Sequence, residues 1–182
     1  TNTQSHPDGT LSDDEIAWLV SRARGGFGHT MTAAAYVHPA GQAWPGQLGV
    51  ASDAQLPGLE RLAREIHTAR SVSAVQLHHG GIRANGSVTG MDLVAPFADE
   101  ETGARALTTA EVQQLIEDFA VAAARVERAG IDGVEVHGAH GYILCQFLDP
   151  TRNTRDDGYG GDFAGRTRIF HEVVAAIRAR TG

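Results

Sequence analysis

Cysteine is almost absent from this chain. The one thiol in 182 residues, Cys145, excludes an intrachain disulfide and fits a reducing compartment, so a cytoplasmic location is expected. Long apolar runs are missing too. No stretch of eighteen apolar residues offers a membrane span, and no signal-peptide pattern is visible, although the chain opens on Thr1 rather than on methionine. Basic excess is also lacking. Fifteen Lys and Arg against 22 Asp and Glu give a net charge of -7, which argues against a nucleic-acid surface. Neither a GxGxxG nor a Walker phosphate loop occurs, and no repeat of solenoid period is present. What remains is ordinary for a globular chain: 42% hydrophobic, 20% charged, and long enough for one sizeable core.

Helix and strand signals alternate along the chain. Ser12 and Glu15 have the spacing of a capping box, ahead of Ile16, Leu19, Val20 and Ala23 on one helical face; Gly25-Gly26 stops that helix. The uncharged segment 27–35 is expected as a buried strand. Residues 36–56, rich in Gly and Pro, are expected as loop. Pro57 opens a second helix with Leu59, Leu62, Ala63 and Ile66 inward. A second strand is expected over 72–77, then a loop over 84–106. Thr108 and Glu111 form another capping box before a stripe of Val112, Leu115, Ile116, Phe119, Ala123 and Val126. A third strand over 131–136 follows, then a polar loop over 149–162 and a helix over 165–180 with Ile169, Phe170, Val173, Val174 and Ile177 inward. Residues 1–3 read as the stub of an earlier strand. Such alternation implies an α/β fold with parallel strands. A doubly wound sheet and a TIM barrel both satisfy it; a barrel needs eight units, and this chain has about four.

The chemistry gathers where the third strand ends. His137-Gly138-Ala139-His140-Gly141-Tyr142 brings two imidazoles, a phenol and two flexible glycines to a strand's carboxyl end, where parallel α/β folds bind ligands. An i, i+3 pair of imidazoles can bind a metal or grip a carbonyl or anionic oxygen. His78 and His79 end the neighbouring strand and are placed to converge on them. A lone histidine is usually a satisfied loop residue; four at adjacent strand ends are less so. Tyr142 is a weak acid that can deliver a proton to a carbanion when positioned, or merely an anchor for the loop. Gln76 offers a carboxamide at the end of an otherwise apolar strand, which suits the edge of a heterocycle or a neighbouring backbone equally. Cys145 reads as a small core residue. The acidic run 156–162 lacks the spacing and terminal Glu of a calcium loop.

These residues resemble the Old Yellow Enzyme family of FMN-dependent ene-reductases. The likeness is carried by Asp132-Gly133-Val134-Glu135-Val136-His137-Gly138-Ala139-His140-Gly141-Tyr142, by Gln146-Phe147-Leu148, by Asn153 and Arg155, by Tyr159-Gly160-Gly161 and by Arg166-Thr167-Arg168. Gln76-Leu77-His78-His79-Gly80-Gly81 adds the family's earlier strand motif. The resemblance implies a TIM (β/α)8 barrel, of which residues 1–182 form the N-terminal half. It implies FMN as cofactor, with NADPH or NADH as reductant. It assigns His137 and His140 to the oxygen of an α,β-unsaturated carbonyl or nitro substrate and Tyr142 to protonation of its α-carbon. Gln76 would bond the pyrimidine edge of the flavin, Thr1 would lie near its O4 side, and Ala34 would offer backbone to the ring.

Departures from the family pattern are specific. His140 stands where many members carry Asn, Ala33 replaces a frequent Glu, and Ile82 separates Gly81 from Arg83, so no role passes to Arg83. The strands that hold the flavin phosphate in the family lie beyond these residues. The leading expectation is part of an FMN ene-reductase acting on a small enone or nitro compound, with no nucleic acid, membrane or metal involved. Its partner would be a second copy of the chain or the missing C-terminal half. The alternatives are a non-catalytic or split fragment that completes its barrel with a partner, and a metal hydrolase built on the histidine cluster.

Overall fold

The computed structural model describes residues 3–182. Helix α1 (Asp13–Arg24) begins at Ser12, whose side chain accepts from the Glu15 amide at 3.1 Å. Its first turn is acidic and its last basic, each complementing the helix dipole. The capping box is only half formed. The Glu15 carboxyl does not return to the cap but is buried, accepting from the Ser5 hydroxyl, and burial raises its pKa. Gly25 caps the other end, as expected.

Strand β1 (His29–Tyr36) starts two residues later than the apolar run, because Phe27 is exposed. The following loop contains two short 3-10 turns, Pro39–Gly41 and Asp53–Gln55. Helix α2 (Leu56–Thr68) has Pro57 in its first turn and buries the four residues its pattern predicts. Strand β2 (Val72–His78) extends one residue further than expected, to His78.

The expected loop at 84–106 holds a one-turn helix, α3 (Gly86–Thr89), and a two-residue parallel ladder of β3 (Val94–Ala95) with β4 (Arg105–Ala106). Ala95, Phe97 and Ala104 give it a small core of its own. Helix α4 (Thr109–Arg128) forms the full capping box of Thr108 and Glu111 and buries the whole predicted stripe. Arg105 grips the Glu111 carboxylate with two nitrogens and, with the Thr108 amide, pulls it down to about 2.

Strand β5 (Gly133–Val136) is shorter than predicted because Asp132 leaves the ladder. Its carboxylate instead accepts from the Ser73 amide at 2.7 Å and bonds His67, and these contacts, the Ser73 amide first, pull it down to about 2. Helix α5 (Ile143–Phe147) has no counterpart in the sequence pattern; Cys145 on it is half-buried rather than core. Helix α6 (Phe163–Arg180) is capped by Asp162. Ile169, Val173 and Ile177 are buried on it, but Phe170 is half-buried and Val174 is exposed. Spacing of four keeps the first three on one stripe; the other two lie about 100° round the helix.

The three long strands are all parallel, in the order β1-β2-β5. Strand order follows chain order without reversal, as in a singly wound barrel and unlike a doubly wound sheet. The chain is thus a partial α/β barrel: three complete βα units preceded by the helix of a fourth. One sheet face is covered by the helices through Ala35, Val37, Val75 and Leu77, with Val134 and Val136 packed beside them. No helix among the described residues is long and apolar enough to cross a membrane.

Candidate active site

Period-two alternation puts a second set of residues on the opposite, inner face. One row is Ala34, Gln76 and Glu135, paired in register; the next is Tyr36, His78 and His137. Strand β1 carries a bulge between Met31 and Ala34, where Thr32 and Ala33 oppose Val75 alone. There the Thr32 hydroxyl accepts from the Gln76 amide at 3.3 Å in place of a ladder carbonyl. Gln76 turns its carboxamide to the Glu135 carboxylate, donating to Oε1. The Ala34 carbonyl accepts from Gln47 at 3.0 Å. Thr1 lies outside the described residues.

Above these rows the turn 137–142 folds over the strand ends. The His137 amide donates to the Leu77 carbonyl at 2.9 Å, carrying the sheet pattern one residue past β5. The His137 ring is buried, and its Nδ1 accepts from the Ala139 amide at 3.4 Å, which leaves the donor on Nε2. Burial, then the neighbouring His140, lowers its pKa, which favours the neutral ring. His140 is exposed and stands edge-on to His137, ring centroids 5.1 Å apart. It adopts a left-handed backbone, φ 58°, unusual for a residue with a side chain. Arg83 steadies it, donating to its carbonyl at 2.6 Å. The Tyr142 ring lies 5.1 Å from His137 and 4.3 Å from His78, with the Arg83 guanidinium 5.2 Å from its centroid.

The expected gathering of four histidines does not form. His78 is the last residue of β2, and His79, one residue past the strand, turns to different neighbours. His79 is buried against Gly41 and stacked on His38 at 6.5 Å. Among the described residues no group of three or more His, Cys, Asp or Glu is arranged to hold a metal.

Gln146 holds the turn in place and was not singled out as a site residue by its position in the sequence. It is buried at the end of α5. Its Nε2 donates to the Gly141 carbonyl at 2.7 Å and the Gly80 carbonyl at 3.2 Å, while its Oε1 accepts from the Ile82 amide at 3.2 Å. Gly81 must be glycine beside it: φ is 62°, and a Cβ there would run into the carboxamide. Gln146→Leu fills the space but strands three backbone groups. We expect a loss of about 2–3 kcal/mol, read as a lowered urea midpoint at unchanged slope. A midpoint equal to the wild type would show that water replaces the carboxamide freely.

The family model described as NADH:flavin oxidoreductase / NADH oxidase matches residues 1–182. The chain belongs to this family. Among similar proteins is "Probable NADH-dependent flavin oxidoreductase YqiG" of Bacillus subtilis, 41% identical over 98% of this chain and 49% of that one. An NADPH dehydrogenase of Clostridium acetobutylicum is 37% identical over 93% of this chain and 51% of its own length. The crystal structure of Old Yellow Enzyme from Pichia superposes on the whole chain with a TM-score of 0.93 at 28% identity, covering 51% of that structure. The chain thus spans about half the length of the relatives it matches.

Membership in this flavin oxidoreductase family implies FMN, with NADH or NADPH as reductant. The inner face fits the ring end of that cofactor. Below the Gln76 row the paired residues are Met31, Ala74 and Gly133, the last two small. The half-buried Gln76 and exposed Glu135 put an amide and a carboxylate side by side, matching the alternating carbonyl and N–H groups along a pyrimidine edge. Ala34 flanks them with a methyl group, one lone pair of its carbonyl being already taken.

Proposed function

We propose that the protein reduces the activated C=C bond of α,β-unsaturated carbonyl or nitro compounds with electrons from NADH or NADPH, and that this chain supplies the wall that holds the substrate's oxygen and protonates its α-carbon. FMN, when bound, supplies the hydride chemistry. The observation that carries the reading is the arrangement of three groups at one strand end: His137 with a neutral N–H donor, His140 beside it, and the ring of Tyr142 against His137 and His78. Two imidazole N–H donors can share one carbonyl or nitro oxygen and stabilise the charge that builds on it. The phenol of Tyr142 is the weak acid beside them and would protonate the carbon that gains electron density.

The test is to purify the protein that carries this chain in its native reading frame and record its visible spectrum. Expected is a yellow protein that bleaches with NADPH and recovers its colour when a cyclic enone or a nitroalkene is added. A colourless protein, or one that bleaches and recovers only with oxygen, overturns the reading.

A further inference from the structure

Two residues that this chemistry leaves unused lie directly behind it. Gln47 and His78 are both wholly buried, at 0% exposure. The Gln47 carboxamide is fixed from two sides. Its Oε1 accepts from the Ala43 amide at 2.7 Å, and its Nε2 donates to the Ala34 carbonyl at 3.0 Å. The same Nε2 lies 3.1 Å from Nδ1 of His78. An amide nitrogen can only donate, so Nδ1 is the acceptor and the proton of the neutral imidazole sits on Nε2. That Nε2 is buried and has no hydrogen-bond partner among the described residues. Orphaned N–H groups are rare in folded proteins and call for an explanation.

The surroundings of the ring provide one. Tyr142 stands edge-on to His78 at 78°, with centroids 4.3 Å apart. His137 is 5.6 Å away and Trp44 5.7 Å. An N–H enclosed by aromatic rings finds weak acceptors in their faces. Burial, reinforced by the neighbouring imidazoles, pulls His78 down to about 3, so the ring stays neutral and does not compete with Tyr142 as an acid.

We propose that Gln47 and His78 form a positioning relay for the proton donor: the Gln47 amide locks His78 as its Nε2–H tautomer, and this uncharged, ring-enclosed imidazole holds the Tyr142 phenol at the angle from which it protonates substrate. His78 and Gln47 are positioning residues here, acting through Tyr142, and the inference rests on Tyr142 being the proton donor.

The test has one arm without chemistry and one with it. Long-range nitrogen–proton NMR on the flavin-loaded full-length protein reads the tautomer of His78 directly. Expected is Nε2–H, unchanged between about pH 5 and 9; an Nδ1–H ring, or a ring that titrates in that window, overturns the relay. In the second arm Gln47→Glu turns the fixed donor into an acceptor and so reverses the tautomer, while His78→Phe keeps an aromatic ring but no N–H. Stopped-flow absorbance then follows flavin reduction by NADPH and reoxidation by a cyclic enone separately. Both variants should slow reoxidation about tenfold, with a larger solvent isotope effect, and leave reduction within about twofold. Equal losses in both half-reactions, or no loss in either, overturn the proposal. Should Gln47→Glu fail to fold, the wild-type tautomer and His78→Phe decide. Failure of the underlying assignment shows separately, as a Tyr142→Phe protein that reoxidises at the wild-type rate.

Discussion

Tyr142→Phe should slow reoxidation of the reduced flavin by an enone about 10²–10⁴-fold, while leaving its reduction by NADPH within about twofold. The asymmetry follows from the geometry. Only the half-reaction that ends in a C–H bond at the α-carbon needs a proton from the protein. Phenylalanine keeps the ring against His78 and His137 and under the Arg83 guanidinium, so the imidazole clamp stays in place. The hydroxyl has no hydrogen-bond partner among the described residues, so its removal strands nothing, and stability should change by less than about 0.5 kcal/mol. Single-turnover absorbance separates the two half-reactions. Reoxidation at the wild-type rate would remove Tyr142 from the mechanism and point to solvent as the proton source.

Acid should destabilise this fold well before its carboxylates titrate. His78 and His79 are both buried and both lowered to about 3, burial being the main cause in each and the neighbouring imidazoles the second. In the unfolded chain each takes up its proton near the ordinary value of about 6.5. Between those values the unfolded state binds two more protons than the folded one. Stability is therefore complete above pH ~6.5 and falls with decreasing pH by about 1.4 kcal/mol per unit for each ring. At pH 5 the two together remove about 4 kcal/mol, a large share of a domain's margin. Asp132, Glu111 and Asp157, all held near 2, add to the loss only below about pH 4. Urea midpoints measured from about pH 8 down to pH 5 read the slope. A midpoint that stays flat between pH 7 and 5 would mean that one or both rings take protons inside the folded protein.

Helix α4 was fully legible in the sequence because three signals agree there: a two-sided cap, an unbroken stripe and a glycine stop. Helix α6 was legible in position but not in orientation. Phe170 and Val174 follow Ile169 and Val173 directly, and an apolar pair offers no way to tell which member faces the core. Helix α5 is too short to show a period, and its cap, Tyr142, makes no side-chain bond to mark it. The bulge in β1 was hidden because Thr32 and Ala33 both suit an extended strand. His79 is different. It falls just past the end of β2, and its contacts with Gly41 and His38, far off in sequence, decide where it goes. The turn from His137 to Tyr142 was found from its residue types, since glycines and donors at a strand end are chemically conspicuous. Gln47 and Gln146 were not singled out for their roles, because a glutamine reveals its function only through the backbone groups around it. The Ile82 insertion left Arg83 without a role in the sequence; the fold brings its guanidinium back over Tyr142.

The three bonds of Gln146 also bear on motion. One side chain joins the loop after β2 to the turn after β5, so neither loop can swing outward without stripping the carboxamide from the other. The two segments form a single cooperative unit, opening in one step rather than fraying separately. Opening of the strand-end turn and exposure of the loop amides should then be the same event, with one free energy governing both.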